Sequence, residues 1–248
     1  MEKLYQNCRA LFDVAFPDED GAWSDALFSL ALPSALRVIA EGEQVQAMLL
    51  AMPCELALQN GERQAARYLY AVATHPDFRG RGLATKLLQR VAAEGLPCFL
   101  RPMNASLFDF YRKAGLSPIS PVLELAGESD PTKERFDALT VPAYLAAREV
   151  FLKPPYVVPS QDFLSLGFAN GGAIGKENCF AAYYERREGE IFFKEWLGDT
   201  QYAAKAAYSL GAARYKLRTP SAPDSEGASP FGMAFGCPEN LGFLIALD

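Results

Sequence analysis

Apolar positions along the chain switch between helical and extended spacing. Leu4, Cys8, Leu11 and Phe12 recur at helical intervals. The runs Ala35 to Ala40 and Val45 to Met52 flank Glu41-Gly42-Glu43 and read as two strands around a tight turn. Arg67 to Thr74, rich in Tyr, Leu and Val, reads as another strand. Leu83 to Ala93 puts Leu83, Leu87, Leu88 and Val91 on one helical face. Cys98-Phe99-Leu100 is a short buried strand stopped by Arg101-Pro102. Asn104 to Ala114 is a final helix, and Gly115 suits its C-terminal cap.

The second half repeats this order more loosely. Cys179 to Tyr184 and Ile191 to Leu197 form a hairpin around Arg187-Glu188-Gly189-Glu190. An Ala-rich helix, Tyr202 to Leu210, follows, and then Tyr215 to Pro220, which parallels Cys98 to Pro102. The pattern is that of an internal duplication or of two α/β halves alike by coincidence. Ala126 to Lys133 is polar and turn-rich, which makes it the candidate linker. The expected domains are therefore residues 1–125 and 134–248.

Composition narrows the chemistry. Half of the 248 residues are hydrophobic, enough for a large core, and the net charge is −6. Residues 1–120 carry a net −1 and residues 121–248 a net −5. That balance argues against a general nucleic-acid binder. The single histidine, His75, rules out a multi-His metal site, and no metal is expected. Five cysteines, none in a CxxC pair, fit reduced thiols and a cytoplasmic location. No run of about 18 apolar residues suggests a membrane span, and the charged N-terminus does not read as a signal peptide.

The informative stretch runs from Tyr70 to Lys86: a strand, a loop with Arg79, Gly80, Arg81 and Gly82, then a helix at once. Glycines admit close backbone approach, helix N–H groups and the helix dipole favour an anion, and the arginines add charge. A pyrophosphate fits this arrangement. No Gly-Lys-Ser/Thr follows at Walker A spacing, and Thr85 replaces the third glycine of the dinucleotide fingerprint.

Pro76-x-x-Arg79-Gly80-x-Gly82-x-Ala84 resembles the acyl-CoA signature of the GNAT N-acetyltransferases. At the expected distance, Asn104 to Leu116, with Tyr111-Arg112-Lys113-Ala114-Gly115, resembles the family's second signature. The resemblance covers residues 1–120 well and the rest only in outline. It implies an α/β (α+β) fold with a mixed central sheet flanked by helices. A second GNAT-like α/β half would follow, lacking the CoA loop and shaping the acceptor pocket. It further implies acetyl-CoA as acyl donor, with the pyrophosphate on Arg79, Gly80, Arg81, Gly82, Leu83, Ala84 and Thr85. The pantetheine arm would pair with Val72, Ala73 and Thr74, where a backbone N–H polarises the thioester carbonyl. Asn104 would bind the arm or hold the loop, and Tyr111 would protonate the departing thiolate. His75, just before Pro76, fits a structural role in the loop.

A proton acceptor for the amine stays open among Glu55, Glu195 and the C-terminal carboxylate of Asp248, each of which also reads as a structural or solvated acid. The acceptor is expected to be a primary amine on a small molecule. A protein N-terminus or lysine, or a non-catalytic acyl-CoA-binding module, are the alternatives. The apolar run Leu241 to Leu247 could reach a cleft or form a homodimer interface.

Overall fold

The computed structural model describes residues 2–31, 34–238 and 240–242. In chain order, the first elements are α1 (Glu2–Ala15), α2 (Gly21–Ala31), β1 (Leu36–Glu41), β2 (Gln44–Ala57), β3 (Arg63–Thr74), α3 (Leu83–Ala92), β4 (Cys98–Leu100) and α4 (Ala105–Lys113). They are followed by β5 (Ser117–Glu128), β6 (Asp137–Leu139), α5 (Val141–Phe151), β7 (Tyr156–Pro159), α6 (Gln161–Gly167) and β8 (Gly171–Lys176). The last are β9 (Phe180–Arg187), β10 (Glu190–Gly198), α7 (Ala203–Ser209), β11 (Arg214–Pro220) and β12 (Ser229–Phe235). No helix among the described residues is long and apolar enough to cross a membrane.

The chain divides into two units. The first comprises the chain up to Glu55, Gln64–Ser117 and Met233–Cys237. Its strands run β1-β2-β3-β4 and then the end of β12. β1 and β2 are the expected hairpin, antiparallel from Leu36↔Leu50 to Glu41↔Gln44. β4 lies parallel to β3 on one side and antiparallel to Met233–Phe235 on the other. Ala47, Leu49 and Ala51 of β2 and Leu69 of β3 pack with Leu87, Leu88 and Val91 of α3 and Tyr111 of α4. Met48, Leu50 and Met52 are buried as well, so β2 is covered on both faces, as its unbroken apolar run requires.

The second unit comprises Leu56–Arg63, Pro118–Gly232 and the chain from Pro238. Its strands run β5-β11-β10-β9-β8-β6. β9 and β10 form the expected antiparallel hairpin, and β11 returns parallel to β10 after α7. Ala203, Ala206 and Ala207 are fully buried and let α7 lie close on the sheet. Beneath it Phe180 stacks on Trp196, ring centroids 4.5 Å apart. The order of helices, hairpin, helix and parallel strand seen in α1 to β4 thus recurs from α5 to β11.

The linker expected at 126–133 is corrected by this pairing. Ala126, Gly127 and Glu128 are strand residues opposite Lys216, Tyr215 and Arg214. Gly127 lies under the Tyr215 ring: a Cβ would come within 2.8 Å of its hydroxyl, and that ring would have to shift. Ser129 and Asp130 are then pinned, their N–H groups donating to the carbonyls of Ala213 and Ala204. The units accordingly part at Ser117/Pro118, and residues 56–63 and 233–237 each belong to the unit opposite their neighbours in sequence. At the C-terminal end, Leu241 is buried and its carbonyl accepts from the Ser120 hydroxyl.

Candidate active site

The site begins where β3 and β4 part. They pair only at Arg67↔Cys98 and Tyr68↔Phe99. β4 stops at Leu100, whereas β3 runs on to Thr74. A strand continuing past its partner leaves main-chain donors and acceptors along that edge for an extended ligand. Within this stretch Ala71 takes φ +52°, the left-handed region that alanine normally avoids. Such a residue interrupts strand alternation and re-aims the amides after it, at a cost on the order of 1–3 kcal/mol. Val72, Ala73 and Thr74 follow directly, with Val72 packed against the core of α3 and α4.

The loop after β3 is tightly organised. The His75 N–H donates to the Gln46 carbonyl at 2.9 Å, continuing the strand pairing by one residue. Its Nδ1 accepts from the Asp77 N–H at 3.3 Å, and its ring meets Phe78 edge-on. These contacts hold the turn that precedes the glycines, which is the structural role expected of His75. Arg79 Nε donates back to the Thr74 carbonyl, and the Arg81 guanidinium lies 4.9 Å over the Phe78 ring. Arg81 also donates to the Asp77 carbonyl at 3.3 Å, and both arginines are thereby tethered while their charge stays at the exposed rim.

Gly80 and Gly82 take φ +77° and +70°, so glycine is required by conformation. A Cβ at either position would meet nothing within 4 Å, which leaves the loop surface open to a ligand. Gly82 is also the N-cap of α3 and supplies no side-chain acceptor. The first helical turn, Leu83, Ala84 and Thr85, therefore presents N–H groups with no intrahelical partner and no cap. Uncapped amides, a helix dipole and two exposed arginines give this loop the chemistry of an anion site.

Asn104 caps α4: its side-chain oxygen accepts from the Leu107 N–H at 3.3 Å and from the Ser106 hydroxyl at 2.7 Å. Tyr111, about two turns further along α4, is 6% exposed within the core formed by α3 and α4. Burial pushes its phenol up to about 12.

The three acid candidates fare differently. Glu55 is exposed on β2, nine residues beyond Gln46, the residue bonded to His75. That is ~30 Å along an extended strand, so the structure does not bring Glu55 to the loop. Asp248 lies outside the described residues. Glu195 is fully buried, accepting from Tyr144 Oη at 2.5 Å and Arg148 Nε at 2.7 Å, so the structure corrects it from base candidate to member of a closed ion-pair network.

Two features had no signal in the sequence. The left-handed Ala71 is one, because nothing local favours that conformation for alanine. The other is an aromatic row on the face of β3 opposite Leu69. Trp23 of α2 meets Tyr70 edge-on at 6.1 Å, Tyr70 lies 6.0 Å from Tyr68, and Tyr68 stacks on Phe99 at 5.7 Å. Burial, with Tyr68 and the Glu19 carboxylate nearby, raises the Tyr70 phenol well above its usual range.

Comparison with known proteins agrees with this geometry. Residues 1–118 match the model of the acetyltransferase (GNAT) domain. Among curated protein sequences none matches this chain. A probable N-acyltransferase structure from Enterococcus faecalis V583 superposes with TM-score 0.67 at 18% identity, over 93% of this chain and 69% of that one. A GCN5-related N-acetyltransferase from Anabaena variabilis ATCC 29413 gives TM-score 0.67 at 15% identity, over 92% and 69%. A putative acetyltransferase from Pyrococcus horikoshii gives 0.61 at 11%, over 97% and 88%. At these identities the structural likeness establishes the fold. The family model covers the two signatures and the loop just described, so residues 1–118 of this chain form an acetyltransferase (GNAT) domain.

Proposed function

We propose that the chain transfers an acetyl group from acetyl-CoA to a primary amine of a small molecule, by direct attack with both substrates bound. The observation that carries this reading is the uncapped start of α3 behind Gly80 and Gly82, next to the unpaired end of β3. Acetyl-CoA supplies the activated acyl group. The amides of Leu83, Ala84 and Thr85 hold its pyrophosphate, with Arg79 and Arg81 adding charge. The edge Val72–Thr74 pairs with the two amides of its arm, and the kink at Ala71 turns a main-chain N–H toward the thioester carbonyl. Tyr111 donates a hydrogen bond to the departing sulfur.

The second unit is read as a GNAT-like half that shapes the acceptor pocket and binds no CoA. The recurrent element order supports that reading, and so does the segment Gly198-Asp199-Thr200-Gln201 between β10 and α7. There the Asp199 carboxylate already accepts from the Gln201 N–H at 2.9 Å. A capped turn carrying negative charge repels a phosphate.

Calorimetric binding of acetyl-CoA to the wild type and to Gly82→Glu tests the proposal. The substitution sets a carboxylate in the cradle and strains a left-handed position. Wild-type affinity in the micromolar range, weakened roughly a hundredfold (about 2.7 kcal/mol) in the variant, is expected. A thermal melt verifies that the variant is folded. A wild type that does not bind acetyl-CoA, or a folded variant that binds equally well, would refute it.

A further inference from the structure

We infer that the acceptor amine carries a second positive charge, recognised by the aromatic wall of Trp23 and Tyr70 together with Glu19. This rests on the acetyltransferase reading above.

β3 puts Leu69 and, past the break in alternation at Ala71, Val72 on the side of α3 and α4, and Tyr68 and Tyr70 on the side opposite Leu69. Tyr70 immediately precedes the left-handed Ala71, and Tyr68 with Phe99 is the last pair before β3 and β4 separate. The row Trp23–Tyr70–Tyr68–Phe99 therefore lies across the mouth of the gap, on the face away from the pyrophosphate helix. A nucleophile approaching a thioester held along Val72–Thr74 from that face passes the rings first.

Tyr68 and Phe99 are buried, whereas Trp23 and Tyr70 keep part of their surface open. Open ring surface of tryptophan and tyrosine attracts cations, by ~0.5–2 kcal/mol per contact. Glu19, in the connection from α1 to α2, lies close enough to Tyr70 to act on its ionisation, so a carboxylate accompanies the rings. The attacking nitrogen cannot be the charge they hold. A primary amine is protonated at neutral pH and must lose that proton to attack. Only an acceptor with a second cationic group keeps a charge for the wall while the first nitrogen reacts.

The test compares butane-1,4-diamine with butylamine, which lacks the second charge, under saturating acetyl-CoA with thiol release as the readout. The diamine is expected to show a kcat/KM at least about tenfold higher, equivalent to ~1.4 kcal/mol. In Trp23→Leu and in Glu19→Gln that ratio should fall toward one, and Trp23→Phe should restore part of it. Glu19 is exposed, and a thermal melt of each variant verifies that the fold is intact. Equal kcat/KM for the two amines overturns the inference, as does transfer to neither by a protein that binds acetyl-CoA. A ratio that stays at the wild-type value in both variants overturns it too. Absence of acetyl-CoA binding in the wild type would instead remove the acetyltransferase reading, and this inference with it.

Discussion

At the residue scale the governing quantity is the Tyr111 phenol, which burial holds near 12. A free thiol ionises near 8.5. Full proton transfer from this phenol to a thiolate is then uphill by roughly 3.5 pKa units, about 5 kcal/mol. In the proposed reaction Tyr111 accordingly acts as a hydrogen-bond donor to the leaving sulfur, and the proton that ends on the thiol comes from the attacking ammonium or solvent. A hydrogen bond to a developing charge contributes about 1.5–3 kcal/mol. Tyr111→Phe should therefore lower kcat by roughly ten- to a hundredfold, measured by thiol release, and change the acetyl-CoA Kd by less than about threefold. The sign of the pH dependence follows. The raised phenol stays protonated throughout the usual assay range, so the rate should climb from pH 7 to 10 as the acceptor amine loses its proton, in wild type and Tyr111→Phe alike. A falling limb between pH 8 and 10 that the Phe variant abolishes would contradict this assignment.

At the element scale the hairpin β9–β10 illustrates how a reading of local sequence goes astray. Its polar and apolar residues announce a strand, and the expected boundaries lie within three residues of the observed ones. The pairing slips between Phe193 and Glu195, so the regular alternation of faces is lost there. Glu195 is turned inward against α5, where Arg148 contacts both carboxylate oxygens and also donates to the Val157 carbonyl at 2.8 Å. Tyr144 completes the network, and all three side chains are at most 1% exposed. Removing one member of a buried ion pair strands the other charge in the interior, which costs about 3–5 kcal/mol. Glu195→Ala should lose that much in urea denaturation. A loss under about 1 kcal/mol would show that the pair is not desolvated as described. The partner lies 47 positions away in the chain, out of reach of any local pattern.

At the scale of the whole molecule the two units are interleaved in sequence. Met233 is fully buried in the core of the first unit, and Phe235 packs beside it over Gly115, where a Cβ would lie 3.1 Å from the Phe235 ring. These residues also close the free edge of β4. A fragment of residues 1–125, the domain suggested by the sequence, lacks them. It should be less soluble than the full chain and lose its cooperative thermal transition, read by circular dichroism. A fragment as stable as the full chain would show that the returning strand is dispensable.

The division between sequence and structure follows from the range of the forces involved. Periodicity, the glycines and the abrupt helix start are local, and they suffice to announce the hairpins, α3, α4 and the glycine loop from Arg79 to Thr85. The same local signals place the helix from Asn104 to Ala114 that carries Tyr111, whereas the capping role of Asn104 came only with the structure. Nothing local tells that Ala71 is left-handed, that Trp23 meets Tyr70, that Gly127 is a strand residue under Tyr215, or that Glu195 is sealed by Arg148. Those outcomes depend on close packing between segments distant in the chain. Only the folded chain fixes which side chain fills which space.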